Sequence, residues 1–406
     1  MKRFVPAIAL ISLLCVFAAP LWAATQPTSA ASDRSPAAPI VNAVATVTGI
    51  AISPLLGTGA YGAYKYLRTP SEQRGNLPWY AQMSFWGPAL LLVGGVALKD
   101  ALGATLPPGW KKPLDILETL ENKVSGLVAA GAVVPITMIG MTELLAGTGS
   151  ATPMAGDPGL LAASGLATMS LGAIDGSSLL SVVMVPFGLF VFVTVWMASH
   201  AINVLILLSP WGAVDAALKS ARTGVLGLVT LSATVDPWIG AICSGLVILF
   251  SYFVAGWAFR LTVFGSVFCW DIFTFRSGRC RVREEGNVLF SAGKLADVPP
   301  RTRGRLLKQS DGSLLFRYRP WLVMPPKEAV VPKPTSLWVG RGMFFSYIEN
   351  DEGGVLLLPP RYRGHEEEMV QCYGLAGVRD AGLRRAWSWI RETLGFGPKV
   401  PVAGTA

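Results

Sequence analysis

The run over residues 178–209 is apolar almost without a break, carries no charge at neutral pH, and turns polar chiefly at His200 and Asn203. A bilayer core about 30 Å thick is crossed by roughly 20 apolar residues rising about 1.5 Å each. The run therefore predicts a membrane-spanning helix. Further apolar runs at 40–64, 79–98, 124–147 and 238–259 extend this to a membrane all-α helical bundle of about five spans over residues 40–272. Trp79, Tyr80, Trp257 and Trp270 stand near the ends of these runs, where aromatic residues settle at the bilayer interface. The last run continues past Arg260 to Asp271, so its helix either extends beyond the membrane or turns along its surface.

Between the spans the pattern becomes amphipathic. In KPLDILETLENK, Leu114, Leu117, Leu120 and Val124 recur at near-helical spacing while Asp115, Glu118 and Lys123 point elsewhere, which predicts an amphipathic helix lying along the membrane surface or docked on the bundle. SPWGAVDAALKSARTG predicts a second. The small-residue-rich segment 150–177 is compatible with a loop, a re-entrant piece or a further span. Trp110 and Trp211 each open a surface helix after a proline-containing turn, and Gly126, Leu127 and Val128 recur at the same offset as Gly227, Leu228 and Val229. These matches suggest a unit of span, surface helix and span used twice, at 79–147 and 178–260, in parallel orientation.

From Asn287 onward the period shortens to that of strands. RGRLLKQSDGSLLFRYRP predicts a hairpin with Asp311 and Gly312 as the positive-φ residues of its turn. Further strands are expected at 336–339, 343–348 and 355–358. RDAGLRRAWSWIRETLG predicts a closing helix with Leu383, Trp387, Ile390 and Leu394 on its apolar stripe. The expected domain, residues 273–395, is a soluble α+β unit with a small antiparallel sheet and a C-terminal helix, followed by a disordered tail at 396–406. Meander followed by helix is similar in order to pleckstrin-homology-like domains.

The N-terminus has the three-part layout of a secretory signal: Lys2 and Arg3, an apolar stretch, then AAPLWA. Cleavage after Ala23 is expected, with an uncleaved signal anchor as the alternative because Leu21 is not small. Residues 24–39 read as a flexible linker. Composition agrees with a polytopic protein carrying a soluble appendage, since 52% of residues are hydrophobic and 15% charged. The charge is uneven: 22 of the 34 Lys and Arg residues but 14 of the 25 Asp and Glu residues lie from Arg260 onward. Arg276, Arg279, Arg281 and Arg283 directly follow the last span, which favours a cytoplasmic C-terminal domain; Lys99, Lys111, Lys112 and Lys123 work against that orientation.

Candidate chemistry is sparse. No Walker loop, GxSxG, HExxH or dinucleotide fingerprint is present, so no catalytic residue and no cofactor are expected. The five cysteines are scattered, with no disulfide framework or zinc site implied. Ser291 and Lys294 formally match SxxK without companion motifs. His365 precedes Glu366, Glu367 and Glu368, a set better suited to a helix start than to metal. Glu143, His200 and Asn203 form a candidate intramembrane polar site, because ionisable groups in spans often mark ion or proton routes. Arg301, Arg303, Arg305, Arg317 and Arg319 interleave bases with aromatic and apolar residues, and are candidates for binding lipid phosphates or an acidic partner rather than nucleic acid.

Over residues 40–259, the SPW and GLV features and the small-residue-rich spans resemble the uncharacterised multi-pass inner-membrane proteins of bacteria. That resemblance implies the bacterial inner membrane and no activity. The first functional expectation is a non-enzymatic membrane protein whose basic cytoplasmic domain binds anionic lipid headgroups or a protein partner. The second is a small-solute or ion transporter using Glu143 and His200.

Overall fold

A computed structural model describes residues 38–103, 112–145, 176–209 and 212–381, except 294, 296, 343 and 344. The predicted signal and linker, the segment 150–177 and the tail 396–406 lie outside the described residues. The chain divides after Ala258 into two compact units, one helical and one rich in β-structure.

The helical unit opens with α1 (Ala38–Ile52) and α2 (Pro54–Arg68). The sequence pattern suggests one span here, but the chain breaks at Ser53, which is extended at φ −143° and ψ 90°. Pro54 causes the break, since it lacks an N–H to continue α1 and disfavours helical backbone at the residue before it. After α3 (Met83–Gly103) comes a second departure. The expected surface helix and the following span are one continuous helical element, α4 (Lys112–Val128) joined to α5 (Val134–Leu145) through a π-turn at Ala129–Val133. Then follow α6 (Gly176–Leu208), α7 (Gly212–Val235) and α8 (Pro237–Phe273). The predicted second surface helix is thus the first half of α7, and the last apolar run does extend, as a helix of 37 residues.

Helix α6 packs along α1, α4 and α5, and α1 also meets α7. Val47, Ile50, Met138, Val191, Phe192 and Val229 form the heart of this core. Three helical stretches are long and apolar enough to cross a membrane: Asp115–Thr142, Leu180–Leu208 and Pro237–Phe273. Leu91, Leu127, Val183, Phe190, Leu246 and Phe253 are exposed on the helices of this unit.

The second unit holds an eight-stranded sheet in the order β4-β3-β2-β1-β7-β6-β5-β8. The strands are β1 (Asn287–Ser291), β2 (Arg303–Lys308), β3 (Leu314–Tyr318), β4 (Lys327–Val330), β5 (Trp338–Arg341), β6 (Ser346–Asn350), β7 (Gly353–Leu358) and β8 (Gly377–Asp380). This corrects the expected small antiparallel sheet. The sheet is mixed, with β8 parallel to β5, and it is no plain meander, because β1 pairs with both β2 and β7. The predicted closing helix is also corrected at its start, where Arg379 and Asp380 belong to β8; the remainder lies outside the described residues. The predicted hairpin forms as β2 and β3, and of its two turn residues only Gly312 takes positive φ, at 81°.

Helix α9 (Glu366–Tyr373) begins at the acidic triplet and packs against β5 and β8. The core includes Leu289, Leu306, Phe316, Ile348, Leu356 and Met369, with the Tyr373 hydroxyl donating to the Leu306 carbonyl at 3.0 Å. On the other face of the sheet, Phe264 of α8 meets Phe290 edge-on at 4.9 Å between ring centroids. At the end of α8, Arg361 Nε donates to Asp271 Oδ2 at 2.7 Å, with the Asp271 side chain fully buried.

Removing one member of a buried ion pair costs about 3–5 kcal/mol, because the other charge stays behind uncompensated. Asp271→Ala is therefore expected to lower the stability of the β-rich unit by that order in denaturant titrations; a loss below about 1 kcal/mol would contradict the role assigned to the pair. His365 bonds the Ser277 carbonyl through Nε2 at 2.8 Å and Glu368 through Nδ1 at 2.9 Å. The carbonyl foremost, and the carboxylate with it, raise the imidazole above its ordinary range, against a smaller effect of burial. A raised value means that the stabilisation is complete below the unfolded histidine's titration and is lost as pH rises through the folded value. Melting temperature should fall as pH climbs above about 6.5, and His365→Asn should flatten that part of the profile.

Candidate functional site

The break between α1 and α2 sets the site. A helix end leaves its last carbonyls without intrahelical donors, and the Ile52 carbonyl collects three side-chain bonds. Ser199 Oγ donates to it at 2.5 Å, and Arg222 donates through Nε at 2.9 Å and Nη2 at 2.8 Å. The remaining arm of the guanidinium, Nη1, donates to Asn203 Oδ1 at 2.6 Å. One arginine on α7 thereby ties the end of α1 to the C-terminal part of α6.

His200 lies one turn before Asn203 and is fully buried. Its ring stacks on Trp196 at 5.2 Å, and Nδ1 stands 3.0 Å from Asn122 Oδ1 on α4. An amide oxygen only accepts, so Nδ1 carries the proton, and in the neutral ring Nε2 is a bare lone pair. Trp196 Nε1 also reaches the Asn122 carbonyl, at 3.4 Å. Lys219 of α7 pairs with Glu118 of α4 at 3.1 Å. Glu121, one turn further along α4, lies within electrostatic reach of Arg222 and Glu118.

Among the described residues, His200 Nε2, Glu121 Oε1 and Asn203 Nδ2 are buried without a hydrogen-bond partner. Buried polar atoms left unpaired cost about 1–3 kcal/mol each, which makes three of them in one neighbourhood a chemical feature. Two accept and one donates. Such a set fits a proton or a small solute that brings its own donor hydrogens. His200 is about 12 Å of helical rise from the end of α6 at Leu208, so the cluster sits in one half of the helical unit rather than at its centre.

The predicted trio is thus only partly brought together. His200 and Asn203 share the cluster; the side chain of Glu143, far along α5, lies outside the described residues. Sequence reasoning missed Glu118, Glu121, Asn122, Lys219 and Arg222 as site residues, because the segments bearing them read as amphipathic surface helices whose charges face away from the apolar stripe. A signal was available: Glu118 matches Lys219, and Glu121 matches Arg222, at the same offset that relates Trp110 to Trp211.

The arginine candidates lie in the β-rich unit. Arg303, Arg305 and Arg317 point outward from β2 and β3. Arg305 stands directly opposite Arg317, which forms an ion pair with Glu328 at 2.7 Å. Arg319 is exposed just beyond β3, and Arg301 sits at φ 62° before β2. Burial foremost, then Arg361 and Arg305, pulls the Arg303 guanidinium below its usual value. The acidic triplet is occupied structurally, Glu366 accepting from Ser346 Oγ at 3.0 Å and from the Gly364 N–H at 2.9 Å.

Gly126 matters to the site. A Cβ there would stand 2.4 Å from Trp196 Nε1, whereas one at Gly227 would meet nothing within 4 Å. Gly126→Ala is expected to push Trp196 off His200 and lower stability in detergent by about 1–3 kcal/mol. Gly227→Ala should be neutral, or stabilising by up to about 1 kcal/mol through helix propensity. Equal effects of the two substitutions on thermal unfolding would contradict the assigned packing. No protein-family model, no curated protein and no solved structure matches the chain.

Proposed function

We propose that the chain is a non-enzymatic, multi-pass protein of a bacterial inner membrane whose helical unit passes a proton or a small donor-bearing solute through the cluster around Glu121 and His200. Membrane residence is supported by the three long apolar helices and by their exposed apolar side chains. The observation that carries the transport reading is the trio of buried, unpaired polar atoms on Glu121, His200 and Asn203. Carboxylate and imidazole groups inside membrane segments recur in proton relays. The broken α1–α2 element beside them is the kind of interruption from which membrane transporters build their binding sites.

A second reading concerns the β-rich unit, proposed to lie on the cytoplasmic side and to bind anionic lipid headgroups. It is favoured by Arg303 and Arg305, which both face outward from β2 as cations that hold lipid phosphates do.

The transport reading is tested by reconstitution into proteoliposomes, with a trapped pH indicator and a panel of small polar solutes. Flux is expected, abolished by Glu121→Gln and by His200→Ala, and unchanged by Glu72→Gln at an exposed position. Flux that survives Glu121→Gln and His200→Ala, or no flux across the panel with the native chain, would exclude it.

A further inference from the structure

The connection between β3 and β4 exposes a row of large apolar residues: Trp321, Leu322, Val323 and Met324 are 44%, 40%, 82% and 50% accessible. The loop is nonetheless ordered by its own bonds, from the Leu322 N–H to the Arg319 carbonyl and from the Met324 N–H to the Pro320 carbonyl, both at 3.1 Å. Trp321 and Leu322 both hold positive φ, at 53° and 64°. Bulky residues rarely adopt that conformation, and strain of this sort gathers at functional loops. The two stems of the loop each carry an exposed cation, Arg319 on one and Lys327 on the other.

The loop also has a fixed neighbour. Trp321 lies against Phe259 of α8, the rings tilted by 35° with centroids 4.8 Å apart, and Arg260 Nε donates to the Pro300 carbonyl at 3.1 Å. Burial along α8 changes character at this point. Up to Trp257 the helix exposes Ile242, Leu246, Phe250 and Phe253; from Ala258 a stripe of Leu261, Phe264 and Phe268 is buried, with Trp270 and Phe273 exposed at the end of the helix. The exposed part of α8, from Pro237, rises about 33 Å, enough to cross a hydrocarbon core of about 30 Å. Phe259 and Arg260 stand where this exposed part of α8 ends, and the loop lies beside them.

We propose that residues 320–324 enter the interfacial layer of the bilayer that α8 crosses, with Arg319 and Lys327 on anionic phosphate headgroups. Apolar residues bury in the headgroup and acyl boundary while flanking cations hold the lipid phosphates, as in interfacial anchors generally. The inference rests on the membrane reading of α8 and sharpens the headgroup-binding reading of the β-rich unit.

The test uses the native full-length chain in nanodiscs containing photoactivatable phosphatidylglycerol, with adducts mapped by mass spectrometry. Adducts are expected on residues 320–324 and on the Leu246 to Phe253 stretch of α8, and none on the hairpin tip at Gln309 to Ser313. Adducts on α8 without any on 320–324 would overturn the loop's role while leaving the membrane reading intact; adducts on neither would overturn both. In the double variant Arg319→Gln, Lys327→Gln, the loop's adduct yield should fall by roughly fivefold per charge removed, with the α8 adducts serving as the internal standard for folding and insertion. An unchanged yield, or an equal yield with photoactivatable phosphatidylcholine, would overturn the headgroup contact.

Discussion

The polar architecture of the helical unit depends on a carbonyl that its own helix cannot satisfy. Pro54 withholds a donor, Ser53 turns extended, and α1 ends with the Ile52 oxygen facing α6 and α7. Burying that oxygen unpaired would be costly, and only a planar, multidentate donor can bond it twice while keeping an arm for a second acceptor. Arg222 does so, and its third arm fixes the amide of Asn203 with the nitrogen free. That orientation, and through α6 the position of His200, follows from a backbone break more than a hundred residues earlier in the chain.

The β-rich unit uses a buried arginine differently. Arg361 neutralises Asp271 at the last turn of α8, beside aromatic contacts from Phe264 and Phe268 to Phe345. Here the pair fastens an element to its domain. Buried pairs of this kind add little net stability over apolar packing of the same shape but are costly to break, so their contribution is to the choice of one docking position over its neighbours. In the helical cluster the unpaired atoms come from three side chains, two acceptors and a donor, whereas at the end of α8 a single carboxylate oxygen, Asp271 Oδ1, is left without a partner.

Much of this was legible in the residues. Apolar run length revealed α6 and α8, alternation and Gly312 revealed the β2–β3 hairpin, and the rarity of charge in the spans drew attention to His200 and Asn203. What stayed hidden depended on tertiary partners. Glu118 and Lys219 look like solvated surface charges until helices from distant parts of the chain bring them to 3.1 Å. The short strand β8 ends inside the stretch whose apolar spacing predicts a helix, and its parallel pairing with β5 depends on α9 carrying the chain across. The π-turn that makes α4 and α5 one element leaves no mark in an Ala- and Gly-rich stretch, because such residues accept either hydrogen-bond pattern.

The complementary charges of α4 and α7 also bear on how the chain is made. On the membrane reading, α4 emerges from the ribosome carrying Glu118 and Glu121 long before Lys219 and Arg222 exist to meet them. An ionised side chain costs up to about 2.5–3.5 kcal/mol to insert alone, the full amount only at the centre of a span. Neither helix is then a comfortable guest in lipid until the other arrives. Biogenesis would have to hold the first half of the bundle at a protected, partly hydrated site until α7 is translated, so that the two helices are released into the bilayer as a neutral pair.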